Sequence, residues 1–425
     1  MLNEGTEKDS AEEFNNQLEK LGSTLSINVQ TESIKSYVQS LTKNLPATLA
    51  LLEDKLYHPK FDKEDFDRLQ KQQLEGIANQ NTQPVAIANK AYNRLLYGNQ
   101  DIRALPVIGT DATVRQITFD DVKNFYRKNF SPSITNLAIV GDVEQATILP
   151  QLAFLQKWEA KPVTLPTLQA SRTIDKTRIY LVDKEKAAQS EIRIGYLTDI
   201  PFDATGEYYK AGIANYILGG AFNSRINLNL REDKGYTYGA FSYFSSTHTP
   251  GPYTAQAGVK ANTTDSSIVE FVKEITNYTK DGITDAELNF VKSSIGQYDA
   301  LKYETPGQKA AFLNQIIEYN LPEDFVEKQN SILQNITKAE IDALAKKRLP
   351  IDKMLITVVG DAALVKPGLQ KLGYEVVELD MEGQPLPPPR STVNEQSGGS
   401  SAQGRPTTPA PPMEEKKTKA KKSKR

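Results

Sequence analysis

The chain repeats itself, and this constrains its fold more than any other feature. "ITFDDVKNFYRKNFSPSITNLAIVGD", Ile117 to Asp142, aligns without a gap on "ITKAEIDALAKKRLPIDKMLITVVGD", Ile336 to Asp361. Each copy runs from Ile-Thr through a helical stretch with a basic end, a proline near a turn and an apolar strand to Gly-Asp. Thr118 and Thr337 are placed to cap their helices, with Asp121 and Glu340 as the acidic partners of a capping box. The runs "LAIV" and "LITVV" predict buried strands. Upstream, "FDKEDFDRLQKQQLEGIANQNTQP" from Phe61 answers "ITDAELNFVKSSIGQYDALKYETP" from Ile283, with Pro84 opposite Pro306. Helix, turn and strand in common register predict an α+β chain of two homologous α/β units, each a mostly antiparallel sheet packed against helices. The repeat period is too long for a solenoid.

The two units are uneven. "TRIYLVD" (Thr177 to Asp183) and "SEIRIGYLT" (Ser190 to Thr198) alternate as strands, and "EYYKAGIANYILGG" (Glu207 to Gly220) reads as a helix ended by glycines. None of these has a counterpart upstream, so the first unit is expected to lack about 45 residues, two strands and a helix, at its N-terminus. Either the chain is a fragment of a longer protein or another polypeptide covers the exposed sheet edge. The expected boundaries are 1–147 for the first unit, 148–177 for a linker and 178–380 for the second unit. Residues 381–425 are expected to form a disordered Pro/Ser/Gly-rich tail with a basic end, Lys416–Arg425.

Composition narrows the chemistry. With no Cys the chain has no disulfide, thiolate ligand or cysteine nucleophile, and with two His, His58 and His248, it has little from which to build a transition-metal site. A net charge of -2 gives no general case for nucleic acid, although the basic tail leaves binding to nucleic acid or another anionic surface as one reading. The apolar runs are too short to span a bilayer, and no signal peptide opens the sequence.

Five stretches then resemble the pitrilysin/insulinase family of zinc metallopeptidases, which includes the mitochondrial processing peptidases. They are "MLNEGTEKDSAEEFNNQLEKLGSTLSI" at the start, "LLEDKLYHPKFDKEDFDRLQKQQLEGI" from Leu51, "YYKAGIANYILGGAFNSRINLNLREDKGYTYGA" from Tyr208, and both strands ending in Gly-Asp. The resemblance covers about Met1 to Leu379 and implies paired α/β units of the processing-peptidase type. It also implies zinc in a complete catalytic unit, held by an inverted His-x-x-Glu-His motif that this chain does not contain. In the family that motif runs directly into a Gly-Thr like Gly5-Thr6. A third ligand would fall near Glu75, which reads equally as a solvated acid or as the remnant of a zinc site, and its repeat counterpart is Gln297. His58 before a proline and His248 in a loop read as local structure.

The family's partner units use an arginine and a tyrosine in a string like Leu-Arg-x-x-x-Gly-x-x-Tyr. Here these are Arg231 and Tyr238, with Gly235 between. The resemblance implies that Arg231 holds peptide backbone or carboxylate and that Tyr238 donates to the oxygen of the scissile carbonyl. Asn229 and Tyr236 are expected as neighbours in substrate binding, Tyr236 by sharing strand parity with Tyr238. The implied function is an insulinase-like module that binds peptide and stabilises the oxyanion, inactive alone and partnered by a catalytic unit in trans or in a missing N-terminal part. A non-catalytic structural or assembly subunit is the alternative. An N-terminally truncated chain would be periplasmic or exported, and a complete one cytoplasmic.

Overall fold

The computed structural model describes residues 1–166, 168 and 173–387, and the basic tail end and part of the expected linker lie outside these residues. The helices are α1 (Ala11–Leu21), α2 (Leu45–Tyr57), α3 (Lys63–Gln80), α4 (Pro84–Tyr97), α5 (Asp111–Gln116), α6 (Phe119–Asn129), α7 (Gln145–Gln151) and α8 (Glu207–Asn215). They continue with α9 (Arg225–Asn227), α10 (Thr264–Asp281), α11 (Asp285–Leu301), α12 (Pro306–Tyr319), α13 (Phe325–Asn335), α14 (Lys338–Arg348) and α15 (Ala362–Gln370). The strands are β1 (Thr24–Val29), β2 (Ile34–Gln39), β3 (Arg178–Asp183), β4 (Gln189–Leu197), β5 (Thr237–Phe244), β6 (Pro252–Lys260), β7 (Leu355–Gly360) and β8 (Val376–Leu379).

Six of these strands form one sheet in the order β5-β6-β4-β7-β3-β8. Pairing is antiparallel from β5 to β7 and parallel from β7 through β3 to β8. Side-chain alternation gives the sheet two apolar faces. Ile179, Leu181, Ile192, Ile194, Ile356 and Val358 join the main core with α10 and α14. Their neighbours Tyr180, Val182, Leu355 and Val359 face Ile87, Ala88, Ala91 and Leu95 of α4. Gly195 in β4 permits this second contact, because a Cβ there would overlap the Tyr253 carbonyl and the Tyr92 hydroxyl. The Tyr92 hydroxyl lies 3.1 Å from both the Tyr253 carbonyl oxygen and the Thr254 hydroxyl. Beneath α4, Arg193 donates to Glu191 at 2.9 Å and to Asn89 at 3.2 Å, so neither buried charge is left unpaired.

The helix starts follow the local signals. Thr118 caps α6 with Asp121, Thr337 caps α14 with Glu340, and Pro84 and Pro306 each open a helix. The run expected as a helix over Glu207–Gly220 is α-helical to Asn215 and then widens into a π-turn through Gly220.

Several expectations are corrected at the level of packing. "LITVV" is the buried strand β7, whereas its counterpart "LAIV" is not a strand: Leu137 and Ile139 are exposed, and among the described residues no backbone hydrogen bond orders 136–140. An apolar run becomes a strand only where a neighbour pairs with it, and β1 and β2 pair only with each other. The expected boundary after residue 147 is crossed by packing, since Met1–Leu386 forms one compact unit and α4 is buried against the sheet of the second half. Ile148 and Phe154, placed in the linker, bury against Leu49 of α2. The start of the expected disordered tail is ordered, because the Asp380 carboxylate accepts from the N–H groups of Glu382 and Gln384 at 2.9 and 2.8 Å, and Lys90 pairs with Glu382 at 2.7 Å.

Candidate substrate-handling site

The stretch that carries Arg231 and Tyr238 is a helix end that turns into an edge strand. Ile226 and Leu230 are fully buried and anchor the turn in the main core. The backbone widens into a π-turn over Leu228–Asp233 and closes when the Tyr236 N–H donates to the Leu230 carbonyl at 2.9 Å. Gly235 makes this closure possible with φ 62°, a left-handed conformation that suits glycine.

Strand β5 begins with a bulge. Thr237 pairs with Val259 and Ala240 with Ala257, so one extra residue enters on the β5 side. The Thr237 hydroxyl holds it, lying 2.7 Å from the Gly258 carbonyl oxygen and accepting from the Gly239 N–H at 3.1 Å. Asn227, buried at the end of α9, accepts from the Ala240 N–H at 3.0 Å and donates to the Phe222 carbonyl at 2.7 Å. At the tip of this braced bulge Tyr238 is 90% exposed. Arg231 is half-buried, with its guanidinium 4.5 Å from the centre of the Phe222 ring and its Nε 3.5 Å from Glu232. The ring steers the guanidinium and Glu232 faces its Nε, while its terminal nitrogens make no hydrogen bond among the described residues and remain able to bind an acceptor.

The other two expected members differ. Asn229 is buried, and its amide donates to Glu270 at 2.8 Å and to Glu274 at 2.6 Å. Burial opposes ionisation of Glu270, but the bonds from Asn229 and Lys273 outweigh it and hold the carboxyl below its ordinary value. Asn229 thus ties the turn to α10 and does not present its donors outward. Tyr236 is half-buried and precedes the strand, and the bulge after Thr237 breaks the alternation that would have aligned it with Tyr238. Sequence reasoning also missed an aromatic row. Phe241 and Tyr243 are exposed on one face of β5, while Ala240 and Ser242 are buried on the other. The alternation in "GAFSYF" is the signal that could have found it. Among the described residues β5 pairs only with β6, and side chains take up its other edge: Asn227 accepts from the Ala240 N–H at 3.0 Å, the Asn215 amide donates to the Ser242 carbonyl at 2.6 Å and the Tyr208 hydroxyl donates to the Phe244 carbonyl at 3.2 Å.

The expected zinc remnant does not fit a metal. Glu75 is exposed on α3, with Lys71 3.9 Å away on the same helix. His58 pairs with Asp54 at 3.2 Å, and the His248 ring packs 4.6 Å from that of Tyr319. Among the described residues no three His, Cys, Asp or Glu side chains converge to hold an ion. Gln297 is exposed on α11.

Comparison with known proteins agrees with this architecture. Residues 1–109 match the family described as Insulinase (Peptidase family M16), and residues 116–295 match the Peptidase M16 inactive domain. The uncharacterized zinc protease YmxG of Bacillus subtilis is 23% identical over 310 residues, which cover 73% of this chain and 74% of that protein. The non-peptidase homolog YmxG of Helicobacter pylori is 22% identical over 366 residues, 85% of this chain and 83% of the relative. A peptidase M16 inactive domain from Pseudomonas fluorescens shares the fold with a TM-score of 0.77 at 23% identity, over 85% of this chain and 86% of that one. Two matched domains of one family, in order along a chain whose fold is also that of a solved member, establish that it belongs to the insulinase family of peptidases, M16.

Proposed function

We propose that this chain is the peptide-holding, zinc-free half of an insulinase-type peptidase, joined by a catalytic unit in trans or within a longer polypeptide. The observation that carries this reading is the exposure of Tyr238 on a braced bulge at the start of β5, on the same turn-to-strand segment as Arg231. The exposed row of Phe241 and Tyr243 on the same strand offers apolar contact to an extended peptide. Arg231 then presents its fork of donors to a peptide carbonyl or carboxylate. Tyr238 donates its hydroxyl proton in a hydrogen bond to the carbonyl oxygen as negative charge develops there. In this reading the other unit would hold the zinc, which would activate water for attack on the carbonyl.

The internal repeat supports a duplicated design. Paired capping boxes at Thr118 and Thr337 and paired helix starts at Pro84 and Pro306 occupy matching positions in the two halves.

The test is cleavage of a quenched fluorescent peptide by this chain mixed with a zinc-loaded insulinase-type catalytic subunit. Tyr238→Phe is expected to lower kcat by about 10²-fold, the loss typical of one oxyanion donor. Arg231→Met is expected to raise KM. Cleavage that needs neither side chain, or no cleavage with any such subunit, refutes the reading in favour of a structural or assembly subunit.

A further inference from the structure

Arg231 and Tyr238 stand on different elements, so their spacing depends on what joins the π-turn to the bulge. Arg231 rests its guanidinium 4.5 Å from the centre of the Phe222 ring. Phe222 is 61% exposed, so burial does little to hold that ring, and its place is set by the backbone beneath it. That backbone is anchored: Ala221 and Ser224 are buried, and the Ser224 N–H donates to the Ala221 carbonyl at 3.1 Å. Tyr238, nearly all of it in solvent, likewise owes its place to the bulge that carries it.

One buried side chain reaches both backbones. The Asn227 amide nitrogen donates to the Phe222 carbonyl at 2.7 Å, and its amide oxygen accepts from the Ala240 N–H at 3.0 Å. A carboxamide is planar and keeps its donor and acceptor at a fixed separation. The Phe222 loop and the bulge therefore cannot shift against each other without breaking a buried hydrogen bond. Other side chains of this size cannot do both, since aspartate offers acceptors only and leucine offers neither group. The Thr237 hydroxyl makes its bonds within the β5–β6 pair, to Gly258 and Gly239, and so holds the bulge on its other side.

We propose that Asn227 is a positioning residue that sets Arg231 and Tyr238 relative to each other. Through Phe222 it seats the guanidinium, and through Ala240 it seats the bulge that carries the phenol, so that both engage one extended peptide. The inference rests on the peptide-holding reading above and adds to it a residue that the peptide does not touch. Its two links are separable. The first acts on binding through Arg231, and the second acts on the developing negative charge through Tyr238.

The test uses the full chain with the zinc-loaded catalytic subunit and the quenched fluorescent peptide, reading kcat and KM separately. Asn227→Asp keeps the acceptor for the Ala240 N–H and loses the donor to Phe222. It is expected to raise KM about two- to fivefold, the worth of a partly exposed cation–π contact, and to change kcat by less than about twofold. Asn227→Leu loses both links and is expected to lower kcat at least about tenfold as well. Phe222→Ala is expected to raise KM as Asn227→Asp does, and Phe222→Tyr to recover most of that loss. In an Arg231→Met background Phe222→Ala is expected to add nothing, a result that a merely structural role would not produce. Because Phe222 is exposed, its variants should fold even where those of Asn227 do not. If Arg231→Met raises KM while Phe222→Ala leaves it unchanged, or if the two effects add, the inference is overturned and the peptide-holding reading stands. If Arg231→Met changes nothing, both are overturned.

Discussion

Glu207 offers a stability test with a defined pH signature. Its carboxylate accepts from the Arg348 Nε at 2.7 Å and from Lys347 at 3.0 Å, joining the first turn of α8 to the last turn of α14. The hydrogen bond from Arg348 is the largest cause that holds the Glu207 pKa at about 2, against 4.5 ordinarily. A shift of that size corresponds to at most about 3 kcal/mol. A third of the side chain is exposed to solvent, which screens the pair and reduces the expected contribution to about 1 kcal/mol.

The folded pKa lies below the unfolded one. The stabilisation is therefore complete above about pH 4.5 and is lost as the pH falls toward 2. Urea unfolding followed by circular dichroism should show Glu207→Gln less stable than the parent by about 1 kcal/mol at pH 7. The gap should close progressively between pH 4.5 and pH 2. A gap that stays constant from pH 7 to pH 3 would show that the side chain acts through packing and not through its charge. No gap at pH 7 would show that the α8–α14 contact does not depend on the pair at all.

Two further substitutions separate scaffold from site. Glu191→Gln strands the Arg193 guanidinium beneath α4 and should cost about 3 kcal/mol in urea unfolding, while replacing both residues by Met should cost much less. Asn229→Ala removes donors from Glu270 and Glu274 and should destabilise by about 1–2 kcal/mol; with the folded variant the KM for peptide should not change, and a raised KM would return Asn229 to the binding surface.

Local chemistry was readable in the sequence, and non-local pairing was not. Thr118 and Thr337 announce their helices because a capping box needs only four consecutive residues. Gly235 similarly marks the end of a turn through its own backbone. "LAIV" and "LITVV" are nearly indistinguishable as strings, yet only the second finds strands on both sides. The partners of Asn229 lie on α10, far along the chain, so its neighbours in the string gave no hint of burial. Tyr236 and Tyr238 share parity in the sequence until one hydroxyl, that of Thr237, stabilises an extra residue between the strand start and Ala240. Pro84 marks the start of α4 in the string, but the sheet that α4 covers belongs to residues more than eighty positions away.

The bulge itself connects stability to use. The edge strand that carries Tyr238, Phe241 and Tyr243 is guarded against pairing with another chain, since Asn227, Asn215 and Tyr208 hold the outward backbone groups of Ala240, Ser242 and Phe244. The inserted residue interrupts regular pairing at the start of β5 and so limits indiscriminate edge-to-edge association, while the strand beyond Ala240 remains regular. The cost of that irregularity is met inside the molecule, where Asn227 and Thr237 satisfy the backbone groups that the ladder has lost. Tyr238 contributes little burial in return, since nearly all of it faces solvent. A structure that spends buried polar groups to hold an exposed phenol in one place gains in positioning and not in core stability. This division between residues that brace and residues that reach outward is why Asn227 and Thr237 belong to the scaffold, and Arg231 and Tyr238 to the peptide.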